Sequence, residues 1–375
     1  MSETDVPPVD STRPPDGGGR AVAVALPAPA PVGGSRPATA SRSWSWAIAP
    51  GLAASAAIAA VATMLGSRAP VVGAPVIAIV IGVVIAVVRR PSSRLRPGMT
   101  FTSKKVLQAS IVVMGTGLSL GQVVSTGARS LPVLVGTLVV ALLMAFVAGR
   151  ALGLRRDVAT LIGVGTAICG ASAIAATDAV IDADEADVSY AIATIFTFNV
   201  VAVLLYPTFG HLLGFSQHTF GLWAGTAIND LSSVVAASTI YGHAAASYGV
   251  IVKLTRTLAI IPIALGLAAW RSSRRPAGTG RPTRRLQIRK VFPMFILVFV
   301  GAVAANTAGF VPSHWHAPLA DVATWMITAA LAAIGLSTDL GHIRRAGLRP
   351  IALGAILWAT VGLASLGLQA LTGTL

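Results

Sequence analysis

Residues 165–178 read GTAICGASAIAATD, and residues 225–238 read GTAINDLSSVVAAS. At an offset of 60 positions the two stretches share Gly-Thr-Ala-Ile, a serine and a following alanine, and both lie within longer apolar runs. Glycine lowers helix stability by about 1 kcal/mol relative to alanine. Paired glycine-interrupted apolar segments are typical of the binding site of secondary transporters. The pair therefore predicts one or two interrupted helices, and closely packed small-residue helices without a break are the alternative.

The composition around these stretches is that of a membrane protein. Apolar residues make up 54% of the chain, charged residues only 11%, and the mean hydropathy is +0.77. Soluble domains carry about 25% charged residues. The net charge is +15, but the lysines and arginines form short clusters between apolar runs. That distribution indicates membrane topology rather than nucleic-acid binding. The single cysteine, Cys169, excludes a disulfide framework and a cysteine-based metal cage.

A helix that crosses a bilayer needs about 20 apolar residues. The sequence predicts an all-α fold, a polytopic transmembrane helix bundle with about eleven spans, because only helices and closed barrels satisfy their backbone groups in lipid. Whether the stretches 158–177 and 219–241 cross fully or re-enter is left open. The spans are predicted at 45–66, 71–88, 106–126, 131–149, 158–177, 189–207, 219–241, 248–270, 291–311, 322–340 and 350–371.

The N-terminal residues differ from the rest of the chain. Residues 1–43 are rich in proline, glycine, serine and alanine and carry four arginines and four acidic residues. Such a composition cannot bury enough apolar surface to fold. We therefore expect residues 1–43 to form a disordered cytoplasmic tail and residues 44–375 to form the transmembrane transporter domain.

Charge placement predicts the orientation. With the N-terminus cytoplasmic, eleven crossings put 24 lysines and arginines in cytoplasmic segments and only Arg68 and Arg129 in external ones. Positive residues accumulate on the cytoplasmic side of membrane proteins. The chain is thus expected in the plasma membrane with its C-terminus external. In this arrangement the acidic run 178–187 falls outside and the segment 208–218 falls inside.

Four charged residues lie within the predicted spans: Asp230, Lys253, Arg256 and Asp339. Each costs about 2.5–3.5 kcal/mol or more at the centre of a bilayer, so such residues face a partner or a watery cavity. A hairpin would bring Asp230 within reach of Arg256. The pair could be a structural ion pair or a substrate site, and we expect the two residues to lie near one another and to act in transport. Asp339, near the end of a span, has no predicted role in substrate binding.

A weaker repeat relates residues 117–136 to residues 335–354 at an offset of 218. Both contain Gly-Leu-Ser followed by matching alanine, proline and glycine positions. The stretches are seven elements apart in the predicted order, and an odd separation gives opposite orientations. This pattern favours inverted repeats.

Several long stretches resemble a bacterial family of multi-pass membrane proteins, the sulfate-exporter or YeiH-like family. The resemblance covers about residues 45–371. The stretches that carry it are RPGMTFTSKKVLQASIVVMGTGLSLGQV (96–123), GTAICGASAIAA (165–176), TIFTFNVVAVLLYP (194–207), VKLTRTLAIIPI (252–263) and AAIGLSTDLGHIRRAGLRPIALGAILW (332–358).

The resemblance implies a secondary transporter that exports a small anion such as sulfate or a related sulfur oxyanion. Relatives often carry a His-Glu or similar pair after the second Gly-Thr motif, where this chain has Asn229 and Asp230, so a histidine-based proton coupling is not expected. The residues expected to bind substrate or ion are Gly165, Thr166, Gly170, Ser172, Asn199, Gly225, Thr226, Asn229, Asp230, Lys253 and Arg256. We expect the segment 165–172 to be kinked or non-helical and to border the substrate cavity.

Other functions have less support in the sequence. The chain has no nucleotide-binding Gly-x4-Gly-Lys-Ser/Thr motif, so coupling to H⁺ or Na⁺ is the expected driving force. The alternative function is a cation- or proton-coupled transporter of another small organic anion. An intramembrane enzyme is less expected because no His-Glu-x-x-His motif is present, and a passive channel would need a repeated pore-lining pattern. We expect no enzyme activity, no cofactor, no resident metal and no nucleic-acid partner. His314 and His316 form only a weak candidate external metal site.

Overall fold

A computed structural model describes residues 40–68, 73–89, 91–273, 294–338 and 347–375. The chain divides between Ser41 and Arg42, and the second unit, to Leu375, contains nearly all of the described residues. Residues 1–39 of the predicted tail and Asp339 lie outside the described residues. Helix α1 already begins at Ala40, three residues before the predicted end of the tail.

The described residues are helical and contain no strand. The helices are α1 (Ala40–Arg68), α2 (Gly73–Val88), α3 (Arg96–Phe101), α4 (Leu107–Gly115), α5 (Leu120–Ala151), α6 (Arg156–Ala167), α7 (Ala171–Ile181), α8 (Glu185–Leu212), α9 (Gln217–Ala227), α10 (Leu231–Tyr241), α11 (His243–Thr257), α12 (Ile260–Ser273), α13 (Met294–Thr307), α14 (His316–Leu336) and α15 (Leu348–Leu371). A π-helical turn at Thr102–Val106 joins α3 to α4, and a 3₁₀ turn at Ser313–Trp315 precedes α14.

Six helical stretches among the described residues are each long and apolar enough to cross a membrane. They correspond to α1, α5, α8, α11 with α12, α14 with its 3₁₀ turn, and α15. Shorter apolar helices include α2, α7, α10 and α13. The prediction of a polytopic helical membrane bundle is confirmed.

Contacts between helix termini define two ends of the bundle. At the first, which we call the Arg155 end, Arg349 at the start of α15 approaches Gly153, which follows α5. At the second, the Tyr241 end, Leu118 just before α5 lines one cavity with Thr239 and His243, and the Leu120 amide donates to the Thr307 hydroxyl at the end of α13. Helix α5 therefore runs from the Tyr241 end to the Arg155 end.

Helices α6 and α7 form a re-entrant hairpin, here called hairpin 1. Arg155, just before α6, contacts Asp184, just after α7, at 2.6 Å, and it also contacts Asp187 at 3.0 Å. Inside the hairpin Gly165 lies against Ile174. The two halves therefore start and finish at the Arg155 end.

Helices α9 and α10 form a second re-entrant hairpin, hairpin 2. The ring of Phe220 in α9 stacks on that of Tyr241 at the end of α10, with centroids 3.8 Å apart. The Tyr241 hydroxyl donates to the Phe215 carbonyl, and the Gln217 side chain accepts from the amide of Ala244 beyond α10. The stretches 158–177 and 219–241 are thus hairpins, each of which returns to the end where it began.

The hairpins correct the predicted positions of two loops. Residues 150–157 and 178–187 were expected at opposite ends, but the Arg155–Asp184 contact places them together. Residues 208–218 were expected at the end of residues 150–157, but they lie at the Tyr241 end, beside Tyr241 itself. The two hairpins remove two of the eleven predicted crossings, so the predicted number of crossings stays odd.

The predicted span 106–126 is also wrong in its bounds. Helix α4 ends at Gly115, and α5 begins at Leu120 after a capping box between Ser119 and Gln122. Such a cap satisfies two free amides and starts a new helix. The turn therefore falls at 116–119 rather than near Arg129, which lies inside α5.

The structure contains inverted repeats. Helix α5 with hairpin 1 is followed by α8 with hairpin 2, and α8 runs from the Arg155 end to the Tyr241 end, opposite to α5. The offset of 60 residues thus relates two units of opposite orientation. Helix α15 also runs opposite to α5: Arg349 in its first turn lies at the Arg155 end, and Thr374, three residues beyond its last, accepts through its carbonyl from Thr219 at the Tyr241 end. The weaker repeat at an offset of 218 has the orientation expected of it.

Candidate functional site where the two hairpin tips meet

The tips of the two hairpins touch in the interior of the bundle. In hairpin 1, α6 ends at Ala167 and α7 begins at Ala171, and in hairpin 2, α9 ends at Ala227 and α10 begins at Leu231. We call residues 168–170 and 228–230 the tip crossing. The break predicted within 165–172 lies at 168–170, where Gly170 adopts a φ of 65°.

Gly170 of hairpin 1 packs closely against the tip of hairpin 2. A Cβ atom at this position would lie 3.3 Å from the Asp230 Cβ and 3.4 Å from the Ile195 side chain. A side chain would also be strained at a positive φ. Only glycine therefore lets hairpin 1 turn while hairpin 2 and α8 pack against it.

Arg256 of α11 ties the two tips together. Its side chain is buried, with 2% of the residue's surface exposed. Nε donates to the Ala167 carbonyl at 2.6 Å, Nη2 donates to the Thr166 carbonyl at 3.1 Å, and Nη1 donates to the Thr226 carbonyl. These carbonyls belong to the last turns of α6 and α9, whose free carbonyl groups carry partial negative charge. One guanidinium thus caps two half-helices.

Lys253 acts in the same way, one turn earlier on α11. It is fully buried, and its Nζ donates to the Ile228 carbonyl at 2.7 Å. Ile228 directly follows α9. Both cations of α11 are therefore directed at carbonyl groups where half-helices end.

The expected ion pair between Asp230 and Arg256 is not formed. Among the described residues the only ion pairs within 4.0 Å are those of Arg155 with Asp184 and Asp187. Asp230 instead caps α10: its carboxylate accepts from the Ser233 amide at 3.2 Å and from the Ser232 hydroxyl at 2.7 Å. Both side chains bind at the breaks, but to different groups. Arg256 binds carbonyls that end α6 and α9, whereas Asp230 binds an amide at the start of α10.

The first turns of α7 and α10 are accessible from outside the protein. Ser172, in the first turn of α7, is exposed, while Asp230 and Ser232 are partly exposed. Ser172 and Ser232 are the serines matched at the offset of 60 residues. The N-cap of α7 is Gly170, which has no side chain to cap it, so the Ala171 and Ser172 amides remain available to a ligand. Amides at a helix N-terminus favour anions.

Two buried amide side chains of the predicted site keep an unpartnered oxygen. Asn229 in the tip of hairpin 2 is 2% exposed, and Asn199 in α8 is 4% exposed. Neither Oδ1 atom accepts a hydrogen bond from the described residues. Buried polar atoms without a partner are rare and call for an explanation such as an unseen ligand, water or ion.

The remaining predicted glycines serve packing. A Cβ at Gly165 would lie 3.0 Å from Ile174, between the two halves of hairpin 1. A Cβ at Gly225 would lie 2.7 Å from Val252 of α11, and one at Gly221 would lie 2.9 Å from the Ala245 carbonyl. Gly221 and Gly225 form a small-residue face that allows close contact between helices. This contact brings α11, with Lys253 and Arg256, against hairpin 2.

Thr226 makes a second connection, to α15. Its hydroxyl lies 2.6 Å from the Ser365 hydroxyl, which accepts from Gln369. The Trp223 indole donates to the Gly362 carbonyl at 3.0 Å. Ser365 and Gln369 are not among the predicted site residues, although two polar residues four positions apart in a largely apolar span are a usable signal.

A cavity lies on each side of the tip crossing, one toward each end of the bundle. The larger, about 1040 Å³, opens at the Arg155 end between Arg150, Arg156, Asp157 and Asp182 and reaches Val164, one turn before the break in hairpin 1. The smaller, about 230 Å³, lies at the Tyr241 end and includes His243 and His316. The described residues contain no group of three or more potential metal ligands.

Comparison with known proteins points to one family. A sequence model of the family described as conserved hypothetical protein 698 matches residues 50–354. A UPF0324 membrane protein of Streptococcus pneumoniae is 44% identical over 330 residues, which covers 86% of this chain and 97% of the relative. UPF0324 membrane proteins of Streptococcus mutans and Streptococcus agalactiae are 42% and 40% identical over 86% and 87% of this chain and 97% and 98% of their own lengths. No solved structure matches.

Proposed function

The chain belongs to the conserved hypothetical protein 698 family of membrane proteins, and from that premise we propose that it is a secondary transporter of a small oxyanion. The observation that carries the proposal is the tip crossing. Two half-helices, α7 and α10, begin there and run to opposite ends of the bundle. Their first turns carry the matched and accessible serines Ser172 and Ser232. Half-helix N-termini that point at a central site are the arrangement by which discontinuous helices bind anionic substrates.

The proposed ligands of the anion are backbone amides and a hydroxyl. The Ala171 and Ser172 amides in the first turn of α7 and the Ser172 hydroxyl supply donors, and the two buried cations of α11 supply a positive field. An oxyanion with several acceptor oxygens, such as sulfate or a related sulfur oxyanion, fits this set of donors. Lys253 and Arg256 do not need to touch it, because their hydrogen bonds already go to carbonyls.

The membrane orientation follows from charge. We infer a plasma-membrane protein with a cytoplasmic Arg155 end, a cytoplasmic N-terminus and an external C-terminus. The re-entrant hairpins leave the predicted charge ratio unaltered because residues 208–218, which change ends, contain no lysine or arginine. The acidic run 178–187 joins the cytoplasmic side, and acidic residues contribute little to orientation. Export is the direction that the family resemblance implies.

Transport in proteoliposomes tests the function. Purified protein is reconstituted with unlabelled sulfate inside, and the entry of radiolabelled sulfate by counterflow is measured, with thiosulfate, sulfite and a small organic anion as competitors. We expect counterflow that sulfur oxyanions inhibit more strongly than the organic anion does. Ser172→Ala should raise the apparent KM, while Ser125→Ala, on the exposed face of α5, should not. Inhibition by the organic anion alone would favour the alternative substrate, and no counterflow of any anion would overturn the proposal.

A further inference from the structure

The carbonyl groups at the tip crossing have the chemistry of a cation site. Thr166 and Ala167 lie in the last turn of α6, Thr226 lies in the last turn of α9, and Ile228 follows it. In transporters with discontinuous helices, carbonyls at half-helix C-termini and in unwound segments coordinate the coupling sodium ion or proton. Here all four carbonyls accept from side chains of α11.

These side-chain cations are permanent parts of the protein. Lys253 is 0% exposed and Arg256 is 2% exposed, and among the described residues neither lies within 4.0 Å of a carboxylate. Burying a charge without a partner is expensive, so the carbonyls must compensate for the missing carboxylate. The same oxygens cannot also surround a sodium ion, because both cations would then compete for one set of lone pairs.

We propose that Lys253 and Arg256 take the place of a coupling sodium ion, so that transport of the anion is independent of Na⁺. This inference rests on the proposed function. The two cations hold the carbonyl side of both breaks, and the uncapped start of α7 stays available for the anion. The anion gradient, the membrane potential or protons then drive transport, and a sodium gradient does not.

The internal repeat indicates that the α11 cations serve both hairpins rather than one. Thr166 and Thr226 occupy equivalent positions of the two repeats, and the two Nη atoms of Arg256 donate to their carbonyls. Ile228, the partner of Lys253, is equivalent to Ile168. A single helix, α11, thus supplies cations to sites that two inverted repeats create in duplicate.

The first test compares sodium-free and sodium-containing media. Sulfate counterflow in proteoliposomes is measured with sodium on both sides, and with N-methylglucamine in its place. We expect equal rates in the two media, and an inward sodium gradient should not raise the accumulation. A sodium requirement would overturn this inference and leave the proposed function intact, whereas absent counterflow in both media would count against the proposed function.

The second test makes the cation position available. Lys253→Met removes the ammonium group and leaves the Ile228 carbonyl without its donor, and Lys104→Met, at an exposed position of the π-helical turn, is the matched control. Thermal melting in detergent is recorded with and without sodium chloride, using N-methylglucamine chloride to keep the ionic strength constant. A ligand that binds only the folded state raises the melting temperature by mass action.

We expect sodium to leave the melting temperature of the wild type and of Lys104→Met unchanged and to raise that of Lys253→Met. Lys253→Arg, which keeps a cation at this position, should again be insensitive to sodium. If Lys253→Met does not fold, the wild-type and Lys253→Arg measurements still decide the matter. A specific sodium-dependent stabilisation of the wild type would refute the proposal, and so would a Lys253→Met protein that melts equally in both salts.

Discussion

The carbonyl oxygens of Thr166 and Thr226, 60 residues apart and equivalent in two inverted repeats, accept hydrogen bonds from the same guanidinium group. Arg256 can bridge them because its nitrogens form a rigid planar fork with five donors. The bridge fixes the distance between the two hairpin tips. It therefore couples the two repeats at the point where the proposed anion site lies.

Replacing Arg256 should destabilise the protein strongly. Arg256→Met leaves the Thr166, Ala167 and Thr226 carbonyls buried without a donor, and each unsatisfied group costs about 1–3 kcal/mol. Arg256→Lys should recover only part of this loss, because an ammonium group cannot reproduce the planar fork. Thermal melting in detergent measures the effect, with Arg129→Met on the exposed face of α5 as the control. A melting temperature of Arg256→Met equal to that of the control would show that the bridge does not stabilise the tips.

Labelling of single cysteines tests the hairpin arrangement. In a Cys169→Ala background, cysteines replace Arg156, Ala186 and Leu213, all of which are exposed. A membrane-impermeant maleimide added to intact cells should label Leu213→Cys and leave the other two unlabelled until the cells are opened. The reason is that Arg155 joins the starts of α6 and α8 at one end, while α8 finishes at the other. Opposite labelling of Arg156→Cys and Ala186→Cys would mean that residues 158–177 cross the membrane.

Much of the fold, and part of the site, can be predicted from the sequence. The apolar lengths predict the bundle, the shared Gly-Thr-Ala-Ile predicts the interrupted segments, and the cost of a buried charge singles out Lys253 and Arg256. Re-entry cannot be predicted in the same way, because hydropathy does not record the direction of the chain. The distribution of positive charge cannot reveal the re-entry either, since residues 178–188 and 208–218 contain neither lysine nor arginine.

The hydrogen-bond partners of Arg256 also cannot be predicted from the sequence. A carboxylate is the obvious partner for a buried guanidinium, and Asp230 was the nearest candidate in the chain. Free carbonyls exist only where a helix is interrupted, and they are a property of the backbone rather than of any side chain. The correct partners could have been inferred only after both breaks and the re-entry of both hairpins were known.

Substitution of Gly225 should damage packing without a direct effect on the ligand. In Gly225→Ala the new Cβ would lie 2.7 Å from the Val252 side chain, and such overpacking costs about 1–3 kcal/mol. Gly367→Ala on α15 is the matched control, because its Cβ would meet nothing within 4 Å. Alanine there should be neutral or stabilising by up to about 1 kcal/mol. Thermal melting of the two variants should therefore differ in sign or size, and equal melting would contradict the tight α9–α11 contact.

Asp230 combines two roles that different substitutions separate. Its carboxylate caps α10 through the Ser233 amide, and its negative charge offsets part of the positive charge of Lys253 and Arg256. Asp230→Asn keeps a side-chain oxygen that can cap the helix, since asparagine and aspartate are about equally good at this position. Asp230→Ala loses both the cap and the charge.

We therefore expect Asp230→Asn to melt like the wild type and Asp230→Ala to lose about 0.5–2 kcal/mol of stability. For transport, we expect the loss of the negative charge to matter more than the loss of the helix cap. Without the carboxylate the tip crossing is more positive, so the anion should bind more tightly and leave more slowly. Asp230→Asn should then have a lower maximal rate of sulfate counterflow and an unchanged or lower apparent KM. A raised KM with an unchanged maximal rate would mean that Asp230 helps to bind the substrate directly, and wild-type kinetics would limit its role to the cap of α10.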